Sequence, residues 1–320
     1  MQNKKVYVGC LGWSYPDWKG TLYPRNSVSS EWLYYYSKVF DYVEVDHTFY
    51  HIPELSVVKK WANVTPSNFR FTIKFPRAIT HSRRLADVRK NHLANFFYAM
   101  SPLSSKNLAF LIQLPPSFKF GEKGQGLKDL KNLSFALDWS SKEYRYAIEF
   151  RDNSWFNDQT YQLLRDYNIC MVWNQLNNLA APPISTTDFV YMHLIGDNSS
   201  SKRKNQVELL AQGDAASNSL AAKNNKDKVS KRRTDPLSQM QKWAKELLLW
   251  TKKQERKSRR NVSTFAVVSI NNHYLGYGPS AINVFRRMIG LPVVALNDTK
   301  QTTLFDFQCI DISQQNVTAN

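Results

Sequence analysis

The chain has 320 residues, 42% of them hydrophobic and 22% charged, which is enough to bury one large core or two modest ones and excludes a disordered or fibrous chain. No opening stretch joins a basic start, an apolar segment and a small-residue cleavage site, and no apolar run approaches the roughly 18 residues a bilayer requires, so a cytoplasmic protein with no membrane partner is expected. Cys10, Cys170 and Cys309 are too few and too scattered for a disulfide framework and read as small buried apolar residues.

Apolar, strand-like runs occur at 6–11, 42–46, 70–75, 108–114, 145–151, 169–173, 189–195 and 264–270. Between them, helix-like patterns occupy 31–40, 55–64, 87–100, 128–139, 159–167, 236–257 and 279–289. The alternation predicts an α/β protein with a parallel sheet covered by helices, and eight strands predict a TIM-type (β/α)8 barrel. A doubly wound open sheet also fits the alternation, but it would gather its site at one switch point rather than over nearly all strand ends. The sixth helix is missing from the pattern, because paired prolines and turn formers fill 174–188 and oppose helix formation.

After the seventh strand the character changes. Net charge is +17, and residues 199–260 hold 17 Lys and Arg against 6 Asp and Glu, so this one segment supplies +11 of it. Residues 199–235 are rich in Ser, Asn, Ala and Lys without an aromatic, which predicts a long basic, mobile insertion. From Pro236 a helix is predicted that places Leu237, Met240, Trp243, Leu247 and Trp250 on one apolar face and basic residues opposite. The expected division is therefore a barrel over 1–291, carrying the insertion, and a tail over 292–320.

Charged groups recur where the strands end. Parity in 42–50 puts Glu44, Asp46 and Thr48 on one face opposite Val43 and Val45. The same rule sets Glu149 and Arg151 opposite Ile148 and Phe150, Lys74 opposite Ile73 and Phe75, Gln113 opposite Ile112 and Leu114, and His193 opposite Met192 and Leu194. Charges in buried strands are costly, so several at one end point to chemistry or binding at a common mouth. For Glu149 and Arg151 alone, a structural ion pair is an equal reading.

The runs that carry these residues are GWS at 12–14, EVDHTFY at 44–50, KFPRAITH at 74–81, QLPP at 113–116, EFRDNSW at 149–155 and NNHY at 271–274. Together they resemble the YecE-like family, known as domain of unknown function 72, from Val6 to about Leu291, and the resemblance implies a variant of the TIM barrel. Family members usually carry Asn where this chain has Asp46, and commonly Arg where it has His193.

The catalytic candidates are Glu44, Lys74, Glu149 and His193, with carboxylates and imidazole to move protons. Candidate substrate contacts are Trp13, Ser14, Thr48, Tyr50, Arg77, His81, Gln113, Arg151, Trp155, Asn271 and Asn272. Arg and Lys suit a phosphate or carboxylate, and the aromatic rings suit a base or sugar. Glu44, Glu149, His81 and His193 are also ligand types for a divalent metal, without any local ligand spacing. In the tail, Gln301, Leu304 and Phe307 have the spacing Q-x-x-L-x-x-F and resemble the peptide by which replication and repair proteins dock on the sliding clamp (PCNA). The usual second aromatic is replaced by Gln308, and a terminal strand packing Leu304, Phe305 and Phe307 is the plain alternative. These features lead to an enzyme acting on nucleic acid, as a phosphodiester or damaged-nucleotide hydrolase. The alternatives are a small-molecule enzyme for an anionic metabolite or sugar, and a non-catalytic clamp-bound adaptor.

Overall fold

The computed structural model describes residues 5–82, 90–121, 125–140, 144–176, 179–196, 235–257 and 264–296. Among them the strands are β1 (Lys5–Cys10), β2 (Tyr42–Val45), β3 (Arg70–Lys74), β4 (Asn107–Gln113), β5 (Tyr146–Glu149), β6 (Ile169–Met171), β7 (Trp173–Leu176), β8 (Leu179–Ala180), β9 (Val190–Leu194) and β10 (Phe265–Ile270). The helices are α1 (Trp32–Val39), α2 (Leu55–Val64), α3 (Lys90–Met100), α4 (Gln125–Ser140), α5 (Asp158–Asp166), α6 (Pro236–Lys257) and α7 (Gly278–Met288). No helix among the described residues is long and apolar enough to cross a membrane.

The strands form two five-stranded sheets, β1-β10-β9-β7-β8 and β2-β3-β4-β5-β6, parallel except for the antiparallel β7-β8 pair. The expected α/β alternation and parallel pairing are present, but the hydrogen-bonded ladder does not close into one ring. Among the described residues a single bridge, from Leu11 to Glu44, joins the end of β1 to β2, with the Gly12 N–H donating to the Glu44 carbonyl at 2.9 Å. The predicted strand at 169–173 breaks at Val172, so β6 pairs with β5 and β7 pairs with β9. The sixth crossover holds the short β8 hairpin strand and no helix among its described residues.

Strands buried on both faces explain the nearly continuous apolar runs of β4 and β10. Alternate residues serve two cores. Val43, Val45, Ile73, Ile112, Ile148, Met192, Val268 and their neighbours pack under the helices. Tyr7, Tyr42, Leu111, Ala147, Cys170, Tyr191, Phe265 and Val267, drawn from both sheets, form a second apolar cluster. Local chemistry sets the helix ends. The Asn157 side chain accepts from the Thr160 N–H at 3.0 Å and caps α5, and Asp235 accepts from Ser238 N–H at 3.0 Å at the start of α6.

The predicted amphipathic helix is present: Met240, Trp243, Leu247 and Trp250 of α6 are buried, with Leu237 half-buried. Trp243 Nε1 donates to Gln175 Oε1 at 2.6 Å and Trp250 Nε1 to Ser185 Oγ at 3.3 Å, so the helix covers the irregular sixth crossover. Of the insertion only Asp235 lies within the described residues, and the tail from 297, with Gln301, Leu304 and Phe307, lies outside them.

Where β1 approaches β2, only glycine fits. A Cβ on Gly9 would sit 2.2 Å from the Tyr42 carbonyl oxygen and 2.8 Å from its ring. The backbone cannot yield there without parting the two strands. Gly9→Ala is therefore expected to destabilise the fold by about 3 kcal/mol, the upper end of overpacking costs, measured as a lower urea midpoint at unchanged slope.

Candidate active site

Parity and strand length deliver the polar side chains to one end. Lys74, Gln113 and Glu149 are the last residues of β3, β4 and β5, while Glu44 and His193 are next to last in β2 and β9. Glu44, Glu149 and His193 are fully buried and Lys74 is 6% exposed. His193 is the link between the carboxylates: its Nδ1 lies 3.1 Å from Glu149 Oε2 and its Nε2 3.6 Å from Glu44 Oε1. The second separation exceeds hydrogen-bond length, and both atoms lack a hydrogen-bond partner.

Around this axis each charge is answered. Arg151 Nη2 lies 2.9 Å from Glu149 Oε1 and donates to Gln113 Oε1 at 2.9 Å. Asn174 Nδ2 donates to Glu149 Oε1 at 3.0 Å and to the Phe150 carbonyl at 2.9 Å. Lys74 Nζ donates to Asp46 Oδ1 at 2.6 Å and stands 4.9 Å from the Phe49 ring centroid. Tyr191 Oη donates to Glu44 Oε2 at 2.6 Å.

Three carboxylates (Glu44, Asp46, Glu149) thus meet two permanent cations (Lys74, Arg151), and an imidazolium at His193 brings the cluster into balance. Burial works against a charged His193, but Glu44 and Glu149 outweigh it and raise its pKa. Burial likewise pushes the Glu149 carboxyl up, and Arg151, His193 and Lys74 overturn that and hold it well below the usual range. Lys74 follows the same pattern: burial opposes its charge, while Asp46, Glu44 and Glu149 raise its pKa. His81 is the opposite case, lowered by burial and then by Arg77, Lys74 and Arg151.

The expected residues separate into layers. Lys74, Arg77, His81, Gln113 and Arg151 form the rim, with Arg77 exposed and His81 and Gln113 half-buried. Glu44, Glu149 and His193 lie sealed beneath. Trp13, half-buried, meets Trp61 edge-on with centroids 5.4 Å apart, while Ser14 and Tyr50 are exposed, Tyr50 at 72%.

Three expected substrate contacts are packing residues instead. Trp155 is fully buried, stacks on Phe118 and Phe150 at 5.0 and 4.8 Å, and gives its N–H to the Phe118 carbonyl. Thr48 is fully buried and donates to the Lys74 carbonyl at 2.6 Å. Asn272 Oδ1 accepts from Trp18 Nε1 and from the Gly278 N–H, and so ties the last loop to α7. Asn271, half-buried, accepts from the His273 N–H at 2.9 Å.

Sequence reading missed Asn174, Tyr191, Tyr42, Thr72 and Ser269. Three of them were open to parity: Tyr191 stands two residues before His193, Thr72 two before Lys74 and Tyr42 two before Glu44. Among the described residues, no three His, Cys, Asp or Glu side chains form a group suited to a metal ion, so the expected ligand types at Glu44, Glu149, His81 and His193 do not assemble as one. A cleft lined by Ser104, Asn107, Tyr144 and Arg145 lies at the opposite ends of β4 and β5, away from the carboxylates.

The family profile described as "Protein of unknown function DUF72" matches residues 7–303. The chain belongs to the DUF72 family. It is 32% identical over 151 residues to the UPF0759 protein YecE of Escherichia coli K12, covering 47% of this chain and 50% of that protein. It is 31% identical over 166 residues to the UPF0759 protein YunF of Bacillus subtilis, covering 49% and 54%. The chain spans about half the length of the curated relatives it matches.

Whole-fold similarity is broader. A DUF72 family crystal structure from Thermotoga maritima superposes with a TM-score of 0.61 at 26% identity, over 89% of this chain and 99% of that one. One from Enterococcus faecalis gives 0.63 at 19% identity over 92% and 98%, a likeness of fold alone. Asp46 and His193 both sit in the charge cluster, where Asp46 holds Lys74 and His193 joins the glutamates.

The pH dependence of stability follows from these shifts. With His193 raised above its ordinary 6.5, its contribution is full below that pH and is lost as pH rises through the folded-state value. With Glu149 held below its ordinary 4.5, its contribution is present above that pH and is lost as pH falls through the depressed value. Thermal unfolding from pH 4 to pH 10 should therefore show an alkaline decline beginning above about 6.5, which His193→Gln flattens while lowering stability at neutral pH.

Proposed function

We propose that the protein is an acid/base enzyme of hydrolase type acting on a phosphate-bearing substrate, with nucleic acid as the carrier of the phosphate. The observation that carries this reading is the buried Glu149–His193–Glu44 axis beneath a rim of Lys74, Arg77 and Arg151. The rim cations suit phosphate oxygens, and Arg77 is the exposed one that meets a ligand first. His81, kept neutral by burial and by three cations, is able to accept a proton at neutral pH. The axis beneath keeps Lys74 and Arg151 charged and in place, and His193, raised by Glu44 and Glu149, carries the proton that balances the cluster.

The two sheets act in this reading as halves of one distorted (β/α)8-type barrel. The Leu11–Glu44 bridge supports a seam on one side and the β6–β7 break at Val172 a seam on the other. The net charge of +17 and the basic residues of 199–235 support nucleic acid over a small metabolite. The tail residues Gln301, Leu304 and Phe307 fit docking on a sliding clamp, which would bring the enzyme to DNA.

One observation favours the small-molecule alternative. The side chains of Lys74 and Arg151 are only 8% and 16% exposed, so a narrow anionic group reaches them more readily than a duplex does.

Binding at low salt separates the readings. Single- or double-stranded DNA or RNA should bind with an affinity that falls steeply as salt rises, and Arg77→Ala should weaken it about tenfold at unchanged thermal stability. No binding of any nucleic acid, together with stabilisation by inorganic phosphate that Lys74→Ala removes, would transfer the site to the metabolite class. Deleting 199–235 without loss of nucleic-acid affinity would remove the insertion from the argument, and clamp binding that survives Phe307→Ala would remove the tail.

A further inference from the structure

Below the carboxylates lie four fully buried hydroxyls from both sheets: Tyr42 on β2, Thr72 on β3, Tyr191 on β9 and Ser269 on β10. Tyr42 Oη lies 2.6 Å from Thr72 Oγ1 and 2.7 Å from Ser269 Oγ, and Thr72 Oγ1 lies 2.8 Å from Tyr191 Oη. Weaker contacts of 3.4 Å from Tyr42 and 3.3 Å from Ser269 also reach Tyr191.

The direction of every proton in this network is set from its upper end. Tyr191 Oη donates to Glu44 Oε2, and a phenol has one proton to give, so toward every other hydroxyl Tyr191 can only accept. Tyr191 must then accept, from Thr72 at 2.8 Å and from Ser269 at 3.3 Å, which leaves Thr72 to accept from Tyr42. The hydroxyls therefore feed the one oxygen that donates to Glu44, and bonds so aligned reinforce one another. Burial and the Glu44 charge push both tyrosines far above their usual range, so they remain donors.

We infer that Tyr191 is the positioning residue for Glu44: as the last donor of a four-hydroxyl chain it fixes Oε2 and leaves Oε1 as the oxygen turned to His193. The groups facing Glu44 are Tyr191 and His193 from β9, Lys74 from β3, Tyr42 from its own strand and Tyr15 from the loop after β1. Lys74 attracts the carboxylate from another direction, and the Tyr191 bond is what keeps it against His193. The inference deepens the proposed role of the glutamate and histidine axis, but its test needs no substrate.

The test is an NMR pH titration of the His193 ring nitrogens in the full-length, 15N-histidine-labelled protein, with His193→Gln assigning the signals. Tyr191→Phe should lower the His193 midpoint by about one pH unit, the scale of one hydrogen bond to a charged group, because Glu44 is no longer held opposite Nε2. Thr72→Val should give a smaller shift in the same direction and Ser269→Ala the smallest, while Glu44→Gln sets the limit. A His193 midpoint unchanged in Tyr191→Phe, or a shift in Ser269→Ala as large as in Tyr191→Phe, would overturn the inference. Should Tyr191→Phe fail to fold, the near-isosteric Thr72→Val decides alone, and no shift there counts against it. A failed nucleic-acid or phosphate binding assay would end the functional reading and leave this result standing.

Discussion

The placement of two carboxylates inside a protein sets the terms for everything around them. Glu44 and Glu149 are wholly removed from water, where an unpaired carboxylate costs several kcal/mol or more, so each has to be met by a cation or by donors at short range. Lys74, Arg151 and a protonated His193 supply the charge, and Tyr191 and Asn174 supply the neutral donors. Apart from Glu149 with Arg151 and Tyr191 with His193, nothing in this set is local in sequence. The partners arrive from β2, β3, β5, β7 and β9, so the cluster forms only when both sheets are in register.

That requirement gives the fold's irregularities a role. Gly9 lets β1 come close enough to β2 for Leu11 to bridge to Glu44, and the break at Val172 turns one strand from the β5 side to the β9 side. The turn brings Asn174 onto Glu149 and leaves Gln175 to hold Trp243 of α6. The basic helix is thereby locked to the same strand that supports the buried axis, by packing two tryptophans rather than by charge.

Much of this was legible in the residues because strand periodicity is a strict rule. An alternation of two assigns Glu44, Lys74, Gln113, Glu149 and His193 to one face without any knowledge of the fold, and all five converge there. Trp155, Thr48 and Asn272 show the limit of that reading. They stand in the same set of motifs that carries the ionisable residues, and only their neighbours reveal that they hold aromatic packing, a strand end and a helix start. Asn174 was hidden by the Val172 break, since the periodic run ends before it.

By itself the sequence determined the alternating α/β order, the amphipathic face of α6, the irregular sixth crossover and the shared face of the ionisable residues. Each of these is encoded by spacing along the chain, which short-range sterics and apolar periodicity convert directly into structure. Only the tertiary structure decided which ionisable groups are sealed and which form the rim, that His193 lies between two glutamates, and that four hydroxyls from two sheets aim at one of them. Those outcomes depend on distances between segments up to 227 residues apart, as in the Tyr42–Ser269 contact, and the dielectric and pairing at such a meeting point have no counterpart in local spacing.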